Sequence, residues 1–88
     1  MELEKLRIFL AVAECRSFSL GAKRLYISHS TVSRRVSALE RELGVKLFDR
    51  GGRTQTLTEA GRVLEAEAVR LIRIADEAKE KLAAYKTE

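Results

Sequence analysis

The chain has 88 residues, a net charge of +4 at neutral pH, 45% hydrophobic and 6% aromatic residues, and neither Trp nor Pro. That length holds one small domain, or one domain with an appendage, whose modest core gains from partners or oligomerisation. No window approaches the roughly 20 apolar residues of a membrane span, Glu2 and Glu4 stand where a leader would be cationic and apolar, and a lone Cys15 cannot form an internal disulfide. A soluble, cytoplasmic protein in a reducing compartment is the expectation.

The charge is unevenly placed. Residues 1–15 carry −1, residues 16–53 carry +6 and residues 54–88 carry −1. All the excess positive charge therefore lies in the middle block, as expected of a surface that meets a polyanion. A merely solvated basic surface would be spread along the chain.

The first element predicted is a helix from about Glu2 to Glu14. Leu3, Leu6, Phe9, Leu10 and Ala13 form one apolar stripe, widened by Ile8 and Val12, and core packing accounts for it. Ser17 is the predicted N-cap of a short second helix, Phe18 to Leu25. Gly21 in its middle costs about 0.5–1 kcal/mol relative to Ala, so a close helix crossing is expected there. Lys23 and Arg24 point outward, within reach of phosphates.

Tyr26–Ile27–Ser28 makes the next turn, with Ser28 as N-cap of a longer third helix that ends at Gly44. On this helix Val32, Val36, Leu39 and Leu43 recur at spacings of one face, which points to the core. The opposite face carries Ser30, Ser33, Arg34, Ser37 and Arg41. Small hydroxyl side chains let a backbone come close to a DNA groove, and Arg pairs with guanine edges or phosphates. The two helices and their turn read as a helix-turn-helix whose second helix is the recognition helix. His29, Ser30 and Thr31 in its first turn, followed by Ser33 and Arg34, are the candidates for facing bases. Ser28, Arg35, Ser37 and Arg41 join Lys23 and Arg24 as candidates for phosphates. His29 has no second His, Cys or acid at ligand spacing, so no metal is expected, and no acid orients it toward a neighbouring Ser for catalysis.

After Gly44 the period changes. Lys46–Leu47–Phe48 and Thr54 to Leu57 read as two strands around a Gly51–Gly52 turn that tolerates positive φ. This is a hairpin wing with Arg50 and Arg53 flanking its tip, suited to a backbone or minor-groove contact. Thr58 then caps a helix predicted to run from Glu59 to the end. Leu57, Gly61, Leu64, Ala68, Leu71, Ala75, Ala78, Leu82 and Tyr85 step by fours and threes, a heptad seam flanked by Val63, Ile72 and Ile74. Such a helix spans about 42 Å at 1.5 Å per residue, more than one small head can cover. A second copy is expected to pair along Leu64, Ala68, Leu71, Ala75, Ala78, Leu82 and Tyr85, parallel or antiparallel. The expected fold is mainly α: a winged helix-turn-helix of three helices and a small β-hairpin over residues 1–57, then a long dimerisation linker helix over 58–88.

With those residues in hand, the chain resembles the N-terminal DNA-binding domain of LysR-type transcriptional regulators. The resemblance rests on LRIFLAVAECRSFSLGAKRLYIS, TVSRRVSALERELGVKLFDR and LTEAG at Leu57–Gly61, and it covers nearly the whole chain. It implies that Ser33 and Arg34 contact DNA along the recognition helix, that residues 29–31 face bases, and that Arg50 and Arg53 belong to the wing. Two positions depart from the family pattern: His29–Ser30 stands where Gln-Pro is common, and Gly21 where Ala is usual. Family members continue into an effector domain that senses a small molecule, so this chain is expected to be part of a longer regulator.

The function expected is sequence-specific binding of double-stranded DNA by a homodimer that reads two half-sites of an interrupted palindrome, with higher oligomers open to the full-length regulator. The alternatives are a non-specific architectural DNA binder complete at this length, and a protein–protein module that reuses the fold. Enzymatic activity is the weakest option, because no nucleophile–base set, metal cluster or phosphate-cradling glycine motif stands at the required spacing. No cofactor and no membrane partner are expected.

Overall fold

A computed structural model describes residues 1–51 and 54–87. The element order is α1 (Leu3–Cys15), α2 (Phe18–Leu25), α3 (His29–Leu43), β1 (Phe48–Asp49), β2 (Thr56–Leu57) and α4 (Glu59–Ala83). Among the described residues no helix is long and apolar enough to cross a membrane.

Helix α1 forms because Leu6, Ile8, Phe9, Val12 and Ala13 share a face that is buried throughout. It stops at Arg16, whose φ of 54° and ψ of 33° turn the chain so that the Ser17 amide can bond back to the Val12 carbonyl. Ser17 then caps α2, its hydroxyl accepting from the Leu20 amide at 3.1 Å. Gly21 lies where a Cβ would stand 3.1–3.2 Å from Val12 side chain and backbone, so the expected close crossing of α1 and α2 is there. Tyr26, with φ 59° and a side chain 95% exposed, ends α2. Ser28 starts α3.

Helix α3 buries Val32, Val36 and Leu39 completely. Leu43 departs from the expectation that it continues that stripe. It is 38% exposed, and Glu40 occupies the buried position in its place. The reason lies beyond the helix, where the wing passes over Glu40 and offers its amides to the carboxylate.

The wing is shorter than expected. Phe48 pairs with Leu57 and Asp49 with Thr56 in an antiparallel ladder, so the first strand starts at Phe48 rather than Lys46 and the second at Thr56 rather than Thr54. The amides of Leu47 and Phe48 go to the Glu40 carboxylate, and the Leu47 carbonyl accepts from Thr58; the chain there is anchored without a ladder. Gly51 is not in the left-handed region, where only Gly44 sits among the described glycines. Gly52 and Arg53 lie outside the described residues.

The core gathers Leu6, Phe9, Val12, Val32, Val36, Leu39 and Leu47, with Phe48 5.4 Å from Phe9 and 5.5 Å from Phe18, ring centre to ring centre. Helix α4 is docked on this core at its N-terminal half. Thr58 donates its hydroxyl to the Lys46 carbonyl at 2.6 Å and accepts from the Gly61 amide at 3.0 Å. Gly61 is buried so closely that a Cβ would run into the Leu47 carbonyl oxygen.

Two of the expected pairing residues, Leu64 and Ala68, turn toward the head. Ala68 is fully buried, and Leu64 and Ile72 pack against the same core, all on the side of α4 that faces its own head. Spacings of three and four through Gly61, Leu64, Ala68 and Ile72 thus serve the head. The uncovered apolar stripe runs beside it: Val63 at 67% exposure, Leu71 at 39%, Ile74 at 60% and Leu82 at 65%, with Ala78 exposed between them. Among the described residues the last ion pair from α4 to the head joins Arg7 to Asp76 at 2.8 Å. The helix ends at Ala83, short of the expected terminus, and Tyr85 and Lys86 make only i→i−3 turns.

Gly61→Ala is expected to destabilise the domain by about 1–3 kcal/mol, the range for overpacking a tight site. The midpoint of a urea titration followed by circular dichroism checks it, and an unchanged midpoint would show that α4 docks less tightly.

Candidate nucleic-acid interface

Successive residues of a helix turn by about 100°, so α3 presents four sides. Val32, Val36 and Leu39 face the core. Arg35 and Glu42 lie on the flank toward α1, Ser33, Ser37 and Glu40 on the flank toward the wing. Ser30, Arg34 and Arg41 stand opposite the core, and all three are exposed.

The first turn is a small hydroxyl network. The Ser28 oxygen accepts from the Thr31 amide at 3.1 Å, donates to the Thr31 hydroxyl at 2.8 Å and lies 3.3 Å from the Ser30 hydroxyl. Arg34 donates to the Thr31 hydroxyl at 3.4 Å, which holds its guanidinium toward the start of the helix. The amides of this turn and the positive end of the helix dipole favour an anion beside it. His29 is exposed, with its ring edge-on to Phe18 at 6.1 Å.

The structure sorts the basic candidates. Arg34, Arg41 and Lys23 are exposed and make no ion pair among the described residues. Arg35 is turned to the other flank and paired with Glu4 of α1. Arg24 pairs with Glu14 at 2.6 Å. Arg50 is drawn inward: it bonds Glu40 at 3.2 Å, and its guanidinium carbon lies 4.8 Å above the Phe18 ring. The acids thus hold Arg24 and Arg35 at the margins and leave Arg34 and Arg41 facing out. Glu42, on the α1 flank, is hydrogen-bonded by the terminal ammonium of Met1 at 2.8 Å. That bond holds its carboxyl below the ordinary Glu value, with Lys5 adding to the effect.

Two residues enter that sequence reasoning missed. Lys46 lines an open groove of about 480 Å³ together with Ser37, Arg41, Gly44 and Val45, which places a third base beside the C-terminal half of α3. Glu40 closes the same groove from below. Its signal was an acid at the four-residue step Val32–Val36–Glu40, followed by a base, Arg50, just past the first strand. Among the described residues no group of three or more His, Cys, Asp or Glu could hold a metal ion.

Residues 3–62 match the family model described as the bacterial regulatory helix-turn-helix protein, lysR family. The chain belongs to the LysR family. It is 45% identical over 82 residues to an uncharacterised helix-turn-helix transcriptional regulator of Azotobacter vinelandii, covering 93% of this chain and 57% of that protein. Of four other curated relatives, described as helix-turn-helix transcriptional regulators or activators, it spans 22% to 32%. Its backbone superposes on the BenM DNA-binding domain in complex with catB site 1 DNA with a TM-score of 0.89 at 36% identity, each chain covered in full. It superposes on the CbnR DNA-binding domain–DNA complex with a TM-score of 0.92 at 36% identity, covering 97% of this chain and 98% of that one. The LysR-family fold, a winged helix-turn-helix with a long C-terminal helix, is therefore the fold of this chain.

Ser28→Ala removes the cap of α3 and is expected to lower stability by about 1 kcal/mol. Urea denaturation of the two proteins side by side measures it; equal stabilities would mean that the Thr31 hydroxyl takes over the cap.

Proposed function

We propose that this chain is the DNA-reading part of a LysR-type transcription regulator and binds double-stranded DNA sequence-specifically as a homodimer. The observation that carries the proposal is the one-sidedness of α3: a fully buried apolar face, and opposite it a slim face with Arg34 and Arg41 exposed and unpaired among the described residues. Solved neighbours of the same fold were captured on DNA, which supports the reading.

In this reading residues 1–57 form the head and 58–88 the linker. The first turn of α3, with His29, Ser30, Thr31, Ser33 and Arg34, meets base edges in the major groove. Ser28 and the adjoining amides take a phosphate at the helix start. Ser37, Arg41 and Lys46 meet the backbone where α3 leaves the groove, with Lys23 on the other side. These phosphate contacts supply much of the affinity and the salt dependence; the first turn supplies the choice of bases. A small-molecule effector would act through a further domain of the whole regulator, and the protein would work in the cytoplasm on the nucleoid. Nothing in this mechanism calls for catalysis.

The second copy pairs along the stripe that the head leaves uncovered: Val63, Leu71, Ile74, Ala78 and Leu82, with Tyr85 at its end. Two linker helices packed along that stripe would hold two heads at a set separation, so the protein's two-fold symmetry would be mirrored in its operator.

A duplex recovered by the chain from a random pool gives the operator and its symmetry. On that duplex Arg34→Ala is expected to lose about 1–3 kcal/mol of binding. Arg35→Ala, turned toward Glu4, is expected to lose less than about 0.5 kcal/mol, as for a surface residue away from the contact. Equal losses in a fluorescence-anisotropy titration at fixed salt would refute this orientation of α3. Recovery of no preferred sequence would favour a non-specific binder.

For the pairing, Ile74→Asp is expected to shift the protein from dimer to monomer in analytical ultracentrifugation while leaving the helical circular dichroism in place. A dimer that survives the charge would place the interface elsewhere.

A further inference from the structure

Glu40 is 4% exposed. Burying a carboxylate is costly unless it is paired and hydrogen-bonded, and an apolar side chain of similar size would cover the core as well. Its partners here all come from the wing. One oxygen accepts from the Leu47 amide at 2.8 Å and from the Phe48 amide at 3.4 Å; the other accepts from Arg50 at 3.2 Å. Arg50 in turn lies over the Phe18 ring, and that ring meets Phe48 at 5.5 Å and His29 at 6.1 Å. A single carboxylate thus joins the C-terminal half of α3 to the wing, and its Arg partner reaches the residue against which the first turn of α3 leans.

We infer that Glu40 and Arg50 are positioning residues for DNA reading. The pair holds the wing in one register against the recognition helix and, through Phe18, steadies the end of that helix that carries His29. Arg50 acts inward, on Glu40 and Phe18, and is not a phosphate contact. The inference rests on the proposed DNA-reading function and deepens it.

The sign of one substitution separates the two roles of Arg50. Glu40→Gln makes the protein more positive by one charge, next to a surface that would meet a polyanion. Were Arg50 a phosphate contact restrained by Glu40, freeing it would tighten binding to every duplex and steepen the salt dependence. Positioning demands the opposite on specific DNA. The experiment uses the full 88-residue chain with two probes, a duplex that the wild type selects from a random pool and a random-sequence duplex, and circular dichroism verifies folding at the binding temperature. Glu40→Gln is expected to lose about ten-fold in affinity for the selected duplex, and the double variant with Arg50→Gln to lose no more than the worse single one, the non-additivity of residues that act through each other. Affinity for the random duplex is expected to stay within about two-fold, since it reports mainly charge. A variant that merely lost stability would fall on both probes alike.

Should Glu40→Gln not fold, Arg50→Gln carries the same test, because its side chain is 37% exposed and leaves the Glu40–amide bonds in place. Loss confined to the selected duplex supports positioning. Equal loss on both probes, with the salt slope lowered by about one, overturns it. Glu40→Gln binding the selected duplex as tightly as the wild type or tighter, or losses that multiply in the double variant, also overturns it. A wild type that binds neither probe overturns the DNA-reading function, and this inference with it.

Discussion

The rest of the structure depends on the burial of one stripe, Val32–Val36–Leu39, against α1 and α2. Those three side chains are sealed from solvent, which fixes the rotation of α3 about its own axis. That rotation decides which residues of α3 face out. At about 100° per residue, a slip of one position would bring Arg35 to the front and turn Arg34 toward the wing. The ion pairs agree with the rotation adopted: Arg35 finds Glu4 on one flank and Glu40 finds the wing on the other. An exposed pair such as Arg35–Glu4 contributes about 0–1 kcal/mol, so it follows the register that the core imposes and does not set it.

Much of this was legible in the sequence because the signals are local. The caps at Ser17, Ser28 and Thr58 are visible as hydroxyl residues ahead of periodic runs, and each side chain accepts the amide expected of it. The close crossing at Gly21 follows from a glycine placed where only proximity justifies it. What the sequence hid were choices between equivalent partners. On α4 two apolar stripes run side by side: Gly61, Leu64, Ala68 and Ile72 in steps of three and four on one, and Val63 followed by Leu71, Ile74, Ala78 and Leu82 on the other. A heptad count takes them as one broad seam. Only the position of the head, set by Thr58 on the Lys46 carbonyl and by Gly61 against Leu47, decides which stripe is used up.

Charge shows the same limit. The +6 block of residues 16–53 is a sum over the chain, and a sum cannot say which bases are already engaged. Arg24, Arg35 and Arg50 each have a carboxylate within the fold, while Arg34, Arg41 and Lys46 line the outward side of α3 and its groove. Of their carboxylate partners, Glu4 and Glu14 come from outside that block, on α1. Composition therefore located the basic face to within about forty residues, and folding narrowed it to a few side chains.

The docking of α4 gives the proposed pairing its consequence for DNA. A helix joined to its head through a flexible tether would let two heads sample many separations, and neither symmetry nor spacing of an operator would be selected. Here the tether is absent: Thr58 is the cap of α4 and at the same time a ligand of the Lys46 carbonyl, Gly61 admits no side chain, and Ala68 is sealed into the same core as Phe9 and Leu39. Buried contacts tie the linker to the head as far as Ile72, and the exposed Arg7–Asp76 pair lies just beyond them. The part of the uncovered stripe along the docked half, Val63 and Leu71, is therefore set relative to the face of α3 that carries Arg34. Pairing two such stripes would fix the distance and angle between two recognition helices without any contact between the heads, so the spacing of half-sites would be written into one buried alanine and one glycine that never approach the DNA.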